Sequence, residues 1–184
     1  NHDIMHTALQ HYSMLSICSH KSKLPITKEL FHNPLLAFRV TFPLTGGTMR
    51  LTYYGHSACL LETSSHRLLI DPFLTGNSLC SVKPEEVTCD FILLTHGHAD
   101  HVGDTLAIAK ANDATVIANH ELASFLGAQG ATTHPLHIWG GAQFAFGRAQ
   151  LTIAFHGSSY PGENGLPIYM GMPGGLLIKA DGKT

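Results

Sequence analysis

Apolar and polar positions fall into two unlike regimes along the chain. Residues 1–48 show neither a sustained helical stripe nor clean strand alternation. From Met49 onward, short apolar runs alternate with turn residues. "RLTYYGH" reads as a strand broken by Gly55, "ACLLET" as a second strand, "SSH" as a turn, and "RLLIDPF" as a third strand stopped by Pro72. Short runs punctuated in this way predict an antiparallel meander. "FILLT" is apolar throughout, the pattern of a strand covered on both faces. "DTLAIAKAND" spaces Leu106, Ile108 and Ala109 for a short helix, with Asp104 as its N-cap. "ATVIAN" is another buried strand, and "HELASFLGAQG" is a helix closed by Gly127 or Gly130. Alternating strands and helices make this middle stretch βαβ-like. "AQFAFG", "RAQLTIAF" and "GGLLIKA" then return to strands. The predicted fold is an α/β domain with a sheet packed between other layers.

Charge supports a boundary near residue 48. Residues 1–48 carry 4 Lys+Arg against 2 Asp+Glu, and the remainder carries 7 against 11. The expected organisation is a poorly patterned extension, 1–48, that need not be native, followed by one domain, 49–184. A net charge of −2 and the lack of a long basic stretch argue against a nucleic-acid partner. No apolar run approaches the roughly 18–20 residues of a membrane span. "NHDIMHTALQ" lacks the order of a signal peptide, so the expected location is the cytoplasm. Cys18, Cys59, Cys80 and Cys89 form no CxxC pair and are expected to be reduced thiols. Histidine is the unusual count, at 14, with five (His2, His6, His11, His20, His32) in the first 48 residues.

The informative histidines lie elsewhere. The run Phe91–Leu94 feeds directly into His96, His98, Asp100 and His101. In an extended segment, residues two apart point the same way, so His96 and His98 share a face. Gly97 and Ala99 leave room for an ion to approach. Imidazole and carboxylate without thiolate suit zinc or iron in an open, catalytic site. The pairs His96/His98 and Asp100/His101 can serve two ions roughly 3.5–4 Å apart, as in two-metal hydrolases. "GHSAC" and "HGSSY" both lack GxSxG, so a serine nucleophile is not supported.

"THGHADH" resembles the HxHxDH signature of the metallo-β-lactamase superfamily. "MRLTYYGHSACLLET", "RLLIDPFLTGN", "ILLTHGHADHVGD" and "FHGSS" follow in the matching order and approximate spacing. More narrowly, the chain is similar to small bacterial metal-dependent hydrolases related to ascorbate-6-phosphate lactonase. The resemblance covers about residues 49–184. It implies an αββα sandwich, incomplete at the C-terminus. It also implies that His96, His98 and His156 hold one metal and that Asp100 and His101 contribute to a second, Asp100 also orienting the attacking water as the catalytic carboxylate. Asp71 matches a family aspartate that orients a histidine or the loop; the plain reading is a turn residue ending a strand. His56 either touches substrate over the pocket or is a core histidine. His134 and His137 are expected to be structural, and His120 to lie on the surface. The implied function is hydrolysis of a small ester, lactone or phosphorylated molecule by metal-activated water. Two zinc ions are expected in the full-length protein, with manganese or iron as alternatives. Two other readings remain open: a nucleic-acid phosphodiesterase of the same superfamily, and an inactive metal-binding fragment. The second arises because Asp181-Gly182 signals a hairpin with no returning strand, and because the family's bridging aspartate and later histidine are absent.

Overall fold

The computed structural model describes residues 49–184 throughout, together with the backbone of residues 27–30, 38–44 and 47–48. Cys18 and the five N-terminal histidines lie outside the described residues. One eight-stranded sheet runs in chain order: β1 (Thr27–Leu30), β2 (Phe38–Leu44), β3 (Gly47–Gly55), β4 (Ala58–Glu62), β5 (Arg67–Ile70), β6 (Phe91–Leu93), β7 (Thr115–Asn119) and β8 (Thr133–Leu136). Strands β1 to β5 pair antiparallel, and β5 to β8 pair parallel. The change of sense follows the connections. Tight turns allow antiparallel neighbours, whereas parallel neighbours need a crossover. Crossovers here carry the helices α1 (Ala99–Val102), α2 (Thr105–Asn112) and α3 (His120–Ala128).

Alternation along each strand sorts side chains onto two cores. Leu60, Leu69, Ile92 and Val116 face the helices, where Val102, Ile108, Leu122 and Leu126 cover them. Leu68, Ile70, Leu93 and Ile117 face the other way, onto Phe146, Ala149 and Leu151. Those last residues belong to a three-stranded sheet of β9 (Gly141–Phe144), β10 (Gly147–Ile153) and β13 (Gly174–Lys179), with β10 central, or to its connecting turn. Each fully buried Leu or Ile here contributes about 1.5–3 kcal/mol. A hairpin of β11 (Ser159–Pro161) and β12 (Pro167–Tyr169) stands apart. The layers are thus helix, sheet and sheet. Among the described residues, no helix covers the far face of the three-stranded sheet.

Several local expectations are corrected. The stretch 1–48, expected to lack strand pattern, contributes β1 and β2. Asp104 precedes α2 but does not cap it with its side chain. Its Oδ2 instead accepts from Leu74 N at 3.0 Å and Thr75 N at 2.8 Å, pinning the loop after β5. Asn119 caps α3, accepting from Leu122 N at 2.9 Å. Gly127 lies inside α3; the helix ends at Ala128, and Gly130 follows with φ +91°. Strand β8 has no counterpart among the expected elements, because Pro135 breaks its pattern. It is tolerated at a sheet edge, where proline costs little pairing. The Asp181-Gly182 turn does form. Ala180 and Lys183 exchange backbone hydrogen bonds of 3.1 and 2.8 Å, with φ of +49° and +71° at the two central residues.

Candidate metal centre

Strands β5 and β6 are parallel neighbours, so their carboxyl ends open onto one edge of the sheet, and the site is built there. Asp71 follows β5 and is 1% exposed, with a left-handed φ of +41° that aspartate tolerates better than most residues. Its carboxylate turns inward. Oδ1 accepts from Thr95 N at 2.9 Å, and Oδ2 lies 2.7 Å from Thr95 Oγ1 and 2.9 Å from His101 Nδ1.

The chain leaves β6 as an irregular loop, so His96 and His98 lie beyond the strand. Gly97 is required between them by a close approach. A Cβ there would collide with Met170 Cβ and lie 2.6 Å from its Cγ. The Gly97 N–H donates to Ser158 Oγ at 3.1 Å, and Ser158 Oγ donates to Met170 O at 3.2 Å. His98 begins α1, its carbonyl accepting from His101 N at 3.0 Å and Val102 N at 2.9 Å. That single turn carries Asp100 and His101. His156 lies three residues beyond the end of β10, not at the strand's last position as expected.

Two groups of donors result. His96, His98 and His156 form one trio and His56, Asp100 and His101 another, with the offered ligand atoms of each trio within 4.8 Å of one another. His96 Nε2 and His98 Nδ1 are 3.0 Å apart. The His156 ring lies 4.7 Å from His96 and 5.1 Å from His98, centroid to centroid. His56, at φ +55° after Gly55, places Nε2 3.1 Å from Asp100 Oδ2. Its ring also meets His101 at 5.2 Å and Phe73 at 5.6 Å.

Burial, with the neighbouring His101, His98 and His156, pushes His96 down to about 3, against a partial pull from Asp100. Burial and His156 also lower His98. Asp100 is half exposed. Its partial burial works upward, but His101, a backbone hydrogen bond, His56 and His98 outweigh it, and the carboxyl sits below its ordinary range. Neutral imidazoles beside a carboxylate are the protonation states that metals require. The donor set fits an ion on geometry too. Two nitrogens bound to one tetrahedral zinc at about 2.0–2.1 Å stand roughly 3.3 Å apart, close to the His96–His98 separation.

Each residue singled out in the sequence can now be placed. His96, His98 and His156 come together, as do Asp100 and His101. His56 joins the latter pair rather than the core. Asp71 lies beneath them against His101. His120 and His137 stack on each other at 5.6 Å, and His134 packs on Phe144 at 4.9 Å; none of the three belongs to either trio. Thr95, Ser57 and Ser158 escape sequence reasoning. Ser57 Oγ lies 3.1 Å from His101 Nδ1. The available signal is their adjacency to the motif histidines, in "THGH", "GHS" and "HGSS". Beside the trios, an open cleft of about 360 Å³ is lined by His98, Asp100, Ser159, Tyr160, Pro161 and Pro167, among others.

A metal-dependent hydrolase of Bacillus velezensis, of the UPF0173 group, is 58% identical over 137 residues, which are 74% of this chain and 60% of that protein. Another of the group, YtkL of Bacillus subtilis, is 56% identical over 137 residues with the same shares. The chain thus spans about 60% of the length of these curated relatives. Igni18, a metallo hydrolase of the archaeon Ignicoccus hospitalis, superposes with TM-score 0.64 at 33% identity, covering 74% of this chain and 58% of that one. A chain from Parabacteroides distasonis shares the fold at TM-score 0.57 and 20% identity, covering 77% of this chain and 60% of that one. The sequence pattern of the Metallo-beta-lactamase superfamily matches residues 51–175, a span that holds both trios and Asp71. By that match, the chain belongs to the metallo-beta-lactamase superfamily.

Proposed function

We propose that a protein carrying this chain is a metal-dependent hydrolase that turns activated water on a small ester, lactone or phosphorylated substrate. The observation that carries this is the convergence of two three-residue donor groups beside an open cleft. His96, His98 and His156 would hold one ion, and His56, Asp100 and His101 a second. Zinc is the expected ion, because the donors are imidazole and carboxylate without thiolate. Held by these residues, such ions would supply a water made acidic enough to ionise near neutral pH, with a pKa toward about 7. Asp100 lines the cleft, where its carboxylate, 3.1 Å from His56 Nε2, would orient the attacking water. Asp71 holds His101 by its Nδ1. Tyr160 and Pro161 form a wall against which a substrate can lie.

Elemental analysis and calorimetric titration with zinc, manganese and iron test the metal assignment. His96→Ala and His98→Ala should each lose tight binding, since each removes a direct ligand. Wild-type stoichiometry in both variants would overturn it. Turnover is then measured on a p-nitrophenyl ester, a simple lactone and a phosphorylated sugar. Cleavage of nucleic acid with no action on these would favour the phosphodiesterase reading instead.

A further inference from the structure

We propose that the Thr95 hydroxyl is a positioning group that joins the two trios into one hydrogen-bonded unit, setting the tautomer of His96 directly and sharing Asp71 with His101. Its purpose rests on the metal-centre reading above, but its geometry stands without that reading. Thr95 is 6% exposed and His96 only 1%. Thr95 Oγ1 lies 2.7 Å from Asp71 Oδ2, 2.8 Å from His96 Nδ1 and 3.5 Å from His101 Nδ1. Thr95 N donates to Asp71 Oδ1 at 2.9 Å. Ser57 Oγ, 3.1 Å from His101 Nδ1, is the further polar group at that ring.

The direction of each bond follows from counting protons. A carboxylate only accepts, and a hydroxyl has one proton to give. Thr95 therefore gives its proton to Asp71 Oδ2 and turns a lone pair to His96. His96 must then carry its proton on Nδ1. The same Asp71 Oδ2, 2.9 Å from His101 Nδ1, requires a proton there as well. Both rings are left with Nε2 bare, and for His96 that nitrogen is the one facing His98 at 3.0 Å. One buried carboxylate thus dictates the tautomer of a histidine in each trio, and Thr95 transmits its effect to the first.

Asp71→Asn reads this directly. The substituted amide must keep its oxygen toward Thr95 N, so its nitrogen replaces Oδ2. That group donates both to Thr95 Oγ1 and to His101 Nδ1. The threonine proton is then turned to His96 Nδ1, and both rings switch to the Nε2–H form. Long-range 1H–15N correlation spectra of the metal-free, 15N-labelled chain report ring tautomers without any metal or activity. The expected result is Nδ1–H at His96 and His101 in the wild type, and Nε2–H at both in Asp71→Asn. Thr95→Val should release His96 alone, and Thr95→Ser should restore it. Zinc affinity should fall about 10- to 100-fold in Asp71→Asn and Thr95→Val, and stay near wild type in Thr95→Ser. A wild-type His96 in the Nε2–H form, or a switch at His101 alone in Asp71→Asn, would overturn the proposal. The wild-type spectrum decides the first point even where a variant fails to fold. The expected tautomers without any zinc uptake would support the relay and overturn the metal reading.

Discussion

A methyl group at position 97 is the smallest change that should disturb the centre. Gly97→Ala would drive a Cβ into Met170 and part the loop from Ser158, the residue that its N–H reaches. Overpacking of this kind costs about 1–3 kcal/mol. A lowered Tm together with weaker zinc binding is the expected outcome, and a variant that matches the wild type in both would contradict it. The cysteines give a second expectation. Burial pushes Cys59 up to about 12, helped by Asp71, and pushes Cys89 up to about 12, helped by Asp90. Both thiols should resist a disulfide reagent at about pH 8 in the folded chain and react after denaturation. A raised folded pKa stabilises fully below the ordinary value of 9.0 and loses that contribution as pH climbs toward 12, because the unfolded thiol ionises first. Urea titrations should show this alkaline loss becoming shallower in Cys59→Ala. At this scale the grouping of the motif histidines was legible, because imidazoles and a carboxylate crowded into one short loop after a buried strand are bound to lie close together. His156 lies far along the chain and was readable only by resemblance. His56 enters its trio through a left-handed turn after Gly55, and Thr95 through a hydroxyl like many others. Neither feature leaves a periodic trace in the sequence.

At the scale of elements, strands with clean alternation or fully apolar runs were readable, and very short ones were not. Strands β3 to β7 announce themselves because one or both faces are buried. Strands β11 and β12 are three residues each, too short for any period to show, and β12 is exposed along its length. Asp104 and Asn119 mark the limit of capping rules, since tertiary contacts decided which side chain caps a helix and which pins a loop. The boundary at Met49 is a proposal that truncation tests. The family match begins at Leu51, and the buried residues described begin at Met49. A chain starting at Met49 should still unfold cooperatively and keep its zinc uptake, with circular dichroism reduced only by the strand signal of β1 and β2. It also loses β2, the partner of β3. The uncovered hydrogen-bonding edge is a template for pairing, so size-exclusion chromatography should show more self-association than in the longer chain. Loss of zinc uptake by the shorter chain alone would place the boundary elsewhere.

Across the whole molecule, the first trio draws on both sheets. His96 and His98 follow β6 of the large sheet, and His156 follows β10 of the small one. An ion held there would fasten the layers together. Ligand linkage predicts about 2.7 kcal/mol of added stability at a hundredfold excess over Kd. Chelation should therefore lower Tm, and His156→Ala should abolish the zinc-dependent rise while leaving the zinc-free Tm unchanged, because that side chain is exposed. An identical zinc-dependent rise in the variant would remove His156 from the centre. The large sheet has one more property, that its spatial order is its order along the chain. Each new strand finds its neighbour already made, so closure at every step spans only the one connection between consecutive strands, a tight turn or a single crossover, and costs less entropy than pairing distant strands. A ribosome releasing this chain would lay the sheet down strand by strand. His156 emerges only after all eight strands have left the tunnel. Ribosome-stalled chains ending before that histidine should therefore lack the ion of the first trio, so the fastening of the two layers is the last step of assembly and waits until the large sheet is made.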